Sequence, residues 1–338
     1  MKTSKFVCLI LLAAGLPLAG CNRANHIPIT TTRQPTAPVE LKLNWPVGRH
    51  GVQSYDLTTT SETTVPGQAK PVSQEMTMGQ STGLTVTKAL DGGKRELEME
   101  YLSLRMKVTG TGRAMEYNSA KKAAGDDPAL SALGKMVGAK LHFILDAGNH
   151  VESVEGTEDL QNRLSPITQG DSTGSMKSLF SADVVKLMMD HARNLPDKAV
   201  QPGDTWPVHQ EIPMDPLGTM VADYTFTLDG WEQYHGRWCA HIGIAGTLKT
   251  RPGDDPAADS PLKGIKMSVT EASISGESIF DLDLGMFVNT TQTMDIKLSM
   301  TIPLPSPAAK GANPPAAPKT QTLQSDVHEV STTTFELK

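Results

Sequence analysis

The sequence predicts an α+β fold: a predominantly antiparallel, curved β-sheet, forming a half-barrel or an open barrel, with one or two central helices packed on one face. Three observations indicate it. Long segments alternate apolar and polar residues with the period of two that a half-buried strand requires. Turn sequences rich in Gly, Asp and Asn separate these segments, and helical spacing occurs only near the middle of the 338-residue chain.

The clearest strand pair lies in the first third of the chain. Apolar residues recur at every second position over 97–101 and again over 104–108, with charged residues between them. The change of phase at Leu102 predicts a bulge or a bend. Residues 91–93, Asp-Gly-Gly, form a hairpin turn sequence that joins this strand to a preceding one over 84–87.

The same reasoning predicts further hairpins and strands. Turn sequences occur at Asp146–Asn149 and at Tyr234–Gly236. We expect strands at residues 141–145, 151–154, 224–228, 238–244, 265–280, 287–302 and 323–337.

Two segments predict helices. In residues 127–138, Asp127 is suited to the N-cap, Pro128 to the first helical position and Gly138 to the end. Residues 177–195 place apolar side chains at helical spacing. An amphipathic helix of this kind covers one face of a sheet.

Changes in composition divide the chain into regions. Residues 21–44 are rich in Pro and Thr with few large apolar residues, which is typical of a disordered tether. Residues 45–302 form the predicted α+β domain. Residues 303–319 form a Pro- and Ala-rich loop, and residues 320–338 supply the final strand of the same domain.

The N-terminus carries a targeting signal. Residues 1–20 combine a basic start, an apolar run and small residues at the end, as a secretory signal does. Leu18-Ala19-Gly20-Cys21 resembles the lipobox of bacterial lipoproteins. The resemblance implies cleavage between Gly20 and Cys21 and lipidation of Cys21, which would bind the protein to a membrane; an ordinary secretory signal is the alternative. Asn22 implies, by the same resemblance, the outer membrane facing the periplasm.

Charge and cysteine content narrow the classes of partner. Loss of the signal, with Lys2 and Lys5, takes the net charge from −6 to −8 and leaves no cluster of Lys and Arg. A nucleic-acid partner is therefore not expected. With Cys21 lipidated, Cys239 is the single remaining thiol, so no intramolecular disulfide forms.

Several segments of the C-terminal half resemble a family of uncharacterised bacterial lipoproteins. These are Pro202–Trp206, Asp223–Leu228, Gly236–Ile242 and Gly276–Phe287. Such proteins are broadly similar to the lipoprotein-carrier superfamily, whose half-barrel sheet wraps a helical plug and can hold an acyl chain. The resemblance implies that type of sheet, and it implies no catalytic residue.

Two segments match the nucleophile-elbow pattern, Gly79–Gly83 around Ser81 and Gly170–Gly174 around Ser172. An elbow needs a buried strand before the Ser and a helix directly after it. A predicted strand follows Ser81, and no hydrophobic strand precedes Ser172. A chance match in a chain rich in Gly, Ser and Thr is therefore the favoured interpretation of both.

His235, Cys239 and His241 form the group that most resembles a metal site, with Cys239 and His241 on one strand face. A tetrahedral site needs three or four converging ligands, and no second pair completes this one. A buried Cys beside surface histidines is the favoured interpretation.

Residues 281–285 resemble the start of a calcium loop, but Leu284 occupies a ligand position, so a turn is expected. No pattern indicates a cofactor.

Methionines are abundant in a chain poor in aromatic residues, with 16 Met against 5% Phe, Trp and Tyr. Many lie on predicted strands, where they either fill the core or line an apolar pocket. As candidate ligand-lining residues we take Met99, Met106 and Met286, with Trp206 as an aromatic platform.

The leading hypothesis is a non-enzymatic, lipid-anchored lipoprotein of the cell envelope with a binding or structural role. In a narrower form of it, the curved sheet holds an apolar ligand. The alternatives are an envelope serine hydrolase that uses Ser172 or Ser81, and an accessory subunit that binds another envelope protein.

Overall fold

One curved, open sheet of antiparallel strands dominates the computed structural model, which confirms the predicted fold class. The structure describes residues 33–110, 114–121, 134–168, 180–214, 217–253, 264–303 and 320–338. The strands are β1 His50–Thr64, β2 Val72–Ala89, β3 Arg95–Thr109, β4 Met115–Asn118, β5 Lys140–Leu145, β6 Val151–Glu155, β7 Thr205–Pro213, β8 Thr219–Tyr234, β9 Arg237–Arg251, β10 Lys266–Asp281, β11 Met286–Pro303 and β12 Thr320–Leu337. The α-helices are α1 Thr157–Thr168 and α2 Ala182–Met189, and short 3-10 turns lie at Asp91–Gly93 and His191–Asn194.

The first and last strands meet in the middle of the sheet. The strand order is β6-β5-β3-β2-β1-β12-β11-β10-β9-β8-β7, and β4 also pairs with β3. β1 and β12 pair without a register shift from Gly51 opposite Leu337 to Thr64 opposite Gln324. The final predicted strand therefore completes the sheet between its two halves.

The predicted hairpins and the predicted bulge are confirmed. Hairpins join β2 to β3, β5 to β6 and β8 to β9 at the expected turns. Ser81 pairs with Ser103 while Thr82 pairs with Tyr101, so Leu102 is the extra residue that shifts the register. The bulge allows the apolar positions on both sides of Leu102 to face the same side of the sheet.

The helices agree only in part with the prediction. α2 lies within the predicted segment 177–195; Ser181 caps it by accepting a 3.4 Å hydrogen bond from the Val184 amide. Helix α1 was not predicted, because its apolar positions are too sparse for a strong helical pattern. Its first turn carries Glu158 and Asp159, as the helix dipole favours. Most of the helix predicted at 127–138 lies outside the described residues.

The helices pack on one face of the sheet, which we call the inner face. Between them lies the main core, where Leu141, Phe143 and Leu228 are fully buried. No helix in the described ranges has the length and apolar composition to cross a membrane.

The predicted tether is too long at its C-terminal end. Leu41 is 2% exposed and belongs to the main core with Leu43 and Trp45. Val39 exchanges two 2.9 Å backbone hydrogen bonds with Val200. Val39 is half-buried, and Leu41, Leu43 and Trp45 are buried at every second position after it, so residues 39–44 belong to the folded domain.

Candidate functional site

A patch of buried polar residues lies on the inner faces of β1, β11 and β12. Cross-strand register sets its members side by side, with Gln292 opposite Ser331 and Thr290 opposite Thr333. Polar side chains are unusual inside a sheet that otherwise buries apolar residues. The polar patch consists of Gln53, Thr290, Gln292, Glu329, Ser331 and Thr333.

Glu329 is the one carboxyl group of this patch, and it is 3% exposed. It lies opposite Thr59 on β1 and Met294 on β11. The Thr59 hydroxyl donates a 3.4 Å hydrogen bond to the Glu329 carboxyl group. Burial raises the pKa of Glu329 to about 8, and no Lys, Arg or His in the described ranges forms an ion pair with it. At neutral pH the group is mainly the uncharged acid, which can donate a hydrogen bond.

Two tyrosines extend the patch. The buried hydroxyl of Tyr55 has no hydrogen-bond partner in the described part of the chain. Burial, and to a smaller extent the charge of Glu329, raise the pKa of Tyr55. Tyr224 on β8 hydrogen-bonds to Gln292 on β11, and burial raises the pKa of Tyr224. Since β9 and β10 separate β8 from β11, the curvature of the sheet brings these two side chains together.

Two hydrophobic clusters flank the polar patch, and both contain several methionines. We call them the β1–β4 cluster and the β7–β11 cluster. The β1–β4 cluster buries Tyr55, Leu57, Met76 and Val108, with Met78, Met106 and Met115 packed against them. The β7–β11 cluster buries Ile212, Met214, Leu217, Met220, Ala222, Leu248, Met267, Ile274, Met294, Ile296 and Leu298. Because β12 lies between β1 and β11, Glu329 is placed between the two clusters.

The four residues predicted to line a ligand site are distributed differently. Met99, Trp206 and Met286 are buried in the main core, next to the helices. Met106 packs against both the main core and the β1–β4 cluster. The structure thus brings three of them into one core and places only Met106 near the polar patch. A ligand-lining role for these four residues stays a prediction.

Trp206 occupies a specific place in the main core. In the turn before it, the Gln201 amide donates a 2.9 Å hydrogen bond to the Asp204 carboxylate, and Gly203 has a φ of 94°, which favours glycine. The Trp206 ring stacks on Phe226 at 5.9 Å, and its Nε1–H donates a 2.9 Å hydrogen bond to the Asn194 carbonyl. These contacts are those of a core side chain, and the preceding turn positions Trp206 in the core.

A second buried carboxyl group, Asp281, has full partners. It is 0% exposed, pairs with Arg237, and accepts hydrogen bonds from the amides of Asp283 at 3.0 Å and Leu284 at 2.9 Å. These bonds form the tight turn between β10 and β11 that the sequence predicts. Asp281 therefore has a structural role that its ion pair and hydrogen bonds explain, whereas Glu329 has only the hydrogen bond from Thr59.

The candidate catalytic and metal-binding residues are dispersed. Ser81 lies in the middle of β2, 3.4 Å from the Ser54 hydroxyl, and Ser172 lies outside the described residues. Cys239 is buried, which raises the pKa of its thiol to about 12, while His241 on the same strand pairs with Glu277 at 3.3 Å. The described ranges contain no group of three or more His, Cys, Asp or Glu side chains arranged to hold a metal ion.

The opposite, outer face of the sheet carries an open groove of about 610 Å³. His328 pairs there with Asp295 at 2.7 Å, and Lys297 pairs with Glu271. Acidic residues outnumber basic ones along the groove. Its charged lining consists of Glu62, Glu75, Glu271, Asp295, Asp326, Lys297 and His328.

The burial of Glu329 was not predicted from the sequence. On β12, Val330 is apolar while Glu329 and Ser331 are polar. The local alternation therefore predicts, wrongly, that Val330 faces the core and Glu329 faces solvent. Leu323 and Phe335 are buried and lie an even number of residues from Glu329 on the same strand. They therefore place the Glu329 side chain on the face of the sheet that packs on the core. An acidic residue at an inward position of a long strand is the signal that could have identified it.

Comparison with solved structures finds likenesses of low score. A lipovitellin structure concerned with lipid–protein interactions aligns at 10% identity and a TM-score of 0.40, over 87% of this chain and 25% of that chain. The chain thus spans a quarter of the lipovitellin chain. DynF from the dynemicin biosynthesis pathway of Micromonospora chersina aligns at 8% identity and a TM-score of 0.16, over 93% and 92% of the two chains. OccK2 of Pseudomonas aeruginosa aligns at 7% identity and a TM-score of 0.17, over 84% and 98%.

Sequence comparison gives one assignment. No curated protein matches the chain. The pattern of a family of unknown function, DUF6263, matches residues 92–287, which is more than half of the chain and runs from the β2–β3 turn to the start of β11. The chain therefore belongs to the DUF6263 family of unknown function.

Proposed function

We propose that the protein is a lipid-anchored binding protein of the bacterial envelope, and that it holds an apolar ligand on the inner face of its sheet. The observation that carries this proposal is the position of the polar patch between two methionine-rich clusters. Binding sites for small apolar molecules combine apolar walls with a few fixed polar groups. The β1–β4 and β7–β11 clusters supply such walls, and Glu329 and Tyr55 supply polar groups.

The methionines favour binding over a purely structural role. Met side chains are unbranched and polarizable, so they repack around ligands of different shape at low cost. Met76 and Met294 occupy inner-face positions on either side of the Thr59–Glu329 pair. A ligand that enters between the clusters would displace flexible side chains rather than rigid aromatic ones.

The proposed anchor is the lipidated Cys21 of the lipobox-like segment. Residues 33–38 are mostly exposed, which fits a spacer between the membrane and the domain. Multiple acyl chains give stable anchoring, since each buried methylene contributes about 0.8 kcal/mol. The binding domain would then sit within reach of the membrane, a source of apolar ligands.

Photo-crosslinking tests the proposed binding surface. The full-length protein, held in lipid nanodiscs, is irradiated with an uncharged alkyl diazirine, and labelled peptides are identified by mass spectrometry. We expect labels on inward-facing residues of β1, β2, β11 and β12, and a decrease when an unlabelled alkane of the same length competes. The proposal would be contradicted if labels were confined to the outer face, or if the competitor did not decrease the labelling of the inner face.

A further inference from the structure

Glu329 and Tyr55 are buried hydrogen-bonding groups that the protein itself satisfies incompletely. Glu329 is 3% exposed and Tyr55 is 8% exposed, so neither group faces bulk water. Glu329 receives one long hydrogen bond, 3.4 Å from Thr59, and the Tyr55 hydroxyl has no partner among the described residues. Buried polar groups in native proteins nearly always have partners, so each such group calls for an explanation.

Among the described residues, no group of opposite charge forms an ion pair with Glu329. Its neighbours across the strands are Thr59 and Met294, and the inward titratable groups close to it are the phenols of Tyr55 and Tyr224. No described cation on β1, β8, β11 or β12 pairs with it. A buried charge without a partner is costly, and the group avoids that cost by remaining protonated.

Protonated Glu329 and Tyr55 each present a hydroxyl donor toward the same interior. Tyr55 lies opposite Thr333, which is four residues from Glu329 on the same face of β12. Two uncharged donors between apolar clusters suit acceptor oxygens that carry no charge of their own. An ester group supplies two such oxygens and adds no charge that would have to be desolvated.

We propose that Glu329 donates a hydrogen bond to the ester group of an uncharged apolar ligand whose hydrocarbon part lies along the two methionine-rich clusters, and that Tyr55, on the same face, donates to a second acceptor oxygen of that ligand. This inference rests on the function proposed above and names the polar end of its ligand.

The proposal makes binding depend on pH with a defined sign. Glu329 ionises as the pH rises through about 8. The ionised group can no longer donate a hydrogen bond, and it repels ester oxygens. Binding of the ester therefore weakens above this pH, by up to about tenfold per pH unit. An amine ligand would show the opposite dependence, because it pairs with the ionised carboxylate.

The test uses three alkyl diazirine probes of equal chain length that end in a methyl ester, a primary amine or a methyl group. Labelling of inner-face peptides of the full-length protein in nanodiscs is measured between pH 6.5 and 9.5. For the wild type we expect half-saturation at about tenfold lower concentration with the ester than with the hydrocarbon at pH 7, and loss of that advantage by pH 9.5.

Four variants separate the role of each group. Glu329→Gln keeps a hydrogen-bond donor and removes the titration, so it should bind the ester within about twofold of wild type at pH 7 and show no pH dependence. Glu329→Met and Tyr55→Phe should weaken ester binding by about tenfold and fivefold. Glu62→Gln, on the exposed outer face, is the matched control and should change nothing.

The outcomes distinguish the two proposals. If the wild type binds no uncharged probe on the inner face at any pH, the proposed binding function itself fails. If hydrocarbon and ester bind equally, or if Glu329→Met binds the ester as well as wild type does, only the ester assignment is overturned. Loss of binding in Glu329→Gln together with preference for the amine would also overturn it, in favour of a cationic ligand.

Discussion

The Thr59 hydroxyl on β1 donates a 3.4 Å hydrogen bond to the Glu329 carboxyl group on β12, where the first and last strands of the sheet meet. Glu329 is thus an acid group in an interior that otherwise consists mainly of apolar side chains. Burial makes Glu329 a group whose ionisation opposes folding, because it raises the pKa of the carboxyl group more than the Thr59 hydrogen bond lowers it.

Replacement of Glu329 by Gln should stabilise the protein, and more strongly at higher pH. The folded chain keeps a proton on Glu329 up to a pKa of about 8, whereas the ordinary value is 4.5. Between these values the folded state binds the extra proton, so its stability falls as the pH rises through that window. Glu329→Gln does not titrate, and we expect a gain of about 4 kcal/mol at pH 8 and little near pH 4.5. Urea unfolding at a series of pH values measures this, with Glu62→Gln as the exposed control; a gain independent of pH would contradict the assignment.

Replacement of Asp281 by Asn should destabilise the fold strongly. The change leaves Arg237 without its buried partner and weakens the turn that Asp281 forms with the amides of Asp283 and Leu284. Breaking a buried pair by removing one partner costs about 3–5 kcal/mol. Asp295→Asn, which breaks the exposed pair with His328, should cost less than about 1 kcal/mol. Equal effects of the two changes in denaturant unfolding would show that Asp281 is not a stabilising centre.

Replacement of Leu41 by Ala tests the segment that the sequence assigned to a tether. Leu41 is 2% exposed in the main core, so its truncation should cost about 2–5 kcal/mol. Val47 is 53% exposed, and Val47→Ala should remain within about 0.5 kcal/mol of wild type. The midpoint of thermal unfolding distinguishes them. An unchanged midpoint for Leu41→Ala would mean that residues 39–44 are not part of the folded domain.

Replacement of Cys21 by Ser tests the proposed anchor. Without the thiol no diacylglyceryl group can be attached, and we expect the lipid label to be lost when cells are grown with radiolabelled palmitate. Association with membranes after high-salt extraction should also decrease, because a lipid anchor does not depend on ionic contacts. Cys8→Ser, within the predicted signal, is the control and should retain the label. Retention of the label by Cys21→Ser would refute lipidation at this position.

Much of the fold could be predicted from local pattern. Turn sequences at 91–93 and 234–236 and the phase change at Leu102 depend on neighbouring residues, and the structure confirms them. The burial of Leu41 and the pairing of β1 with β12 depend on contacts between residues far apart in the chain. Single-strand patterns carry no information on such pairings.

The candidate site was less predictable for the same reason. Methionines on strands indicated apolar surfaces, but the separation of Met99 in the main core from Met76 in the β1–β4 cluster depends on how the sheet curves. The burial of Glu329 depends on β1 and β11 lying on either side of it. A charged residue in a strand is normally exposed, so only the assembled sheet identifies it as interior.

Native mass spectrometry tests the proposed function most directly. The protein is purified from the membranes of its own host and released from detergent in the gas phase. We expect a fraction of the protein to carry an additional non-covalent mass, the mass of an uncharged apolar molecule, beyond the lipid proposed for Cys21. We expect Glu329→Met to lose that mass while Glu62→Gln keeps it. Wild-type protein that carries no non-covalent mass under these conditions would contradict ligand binding by the inner face.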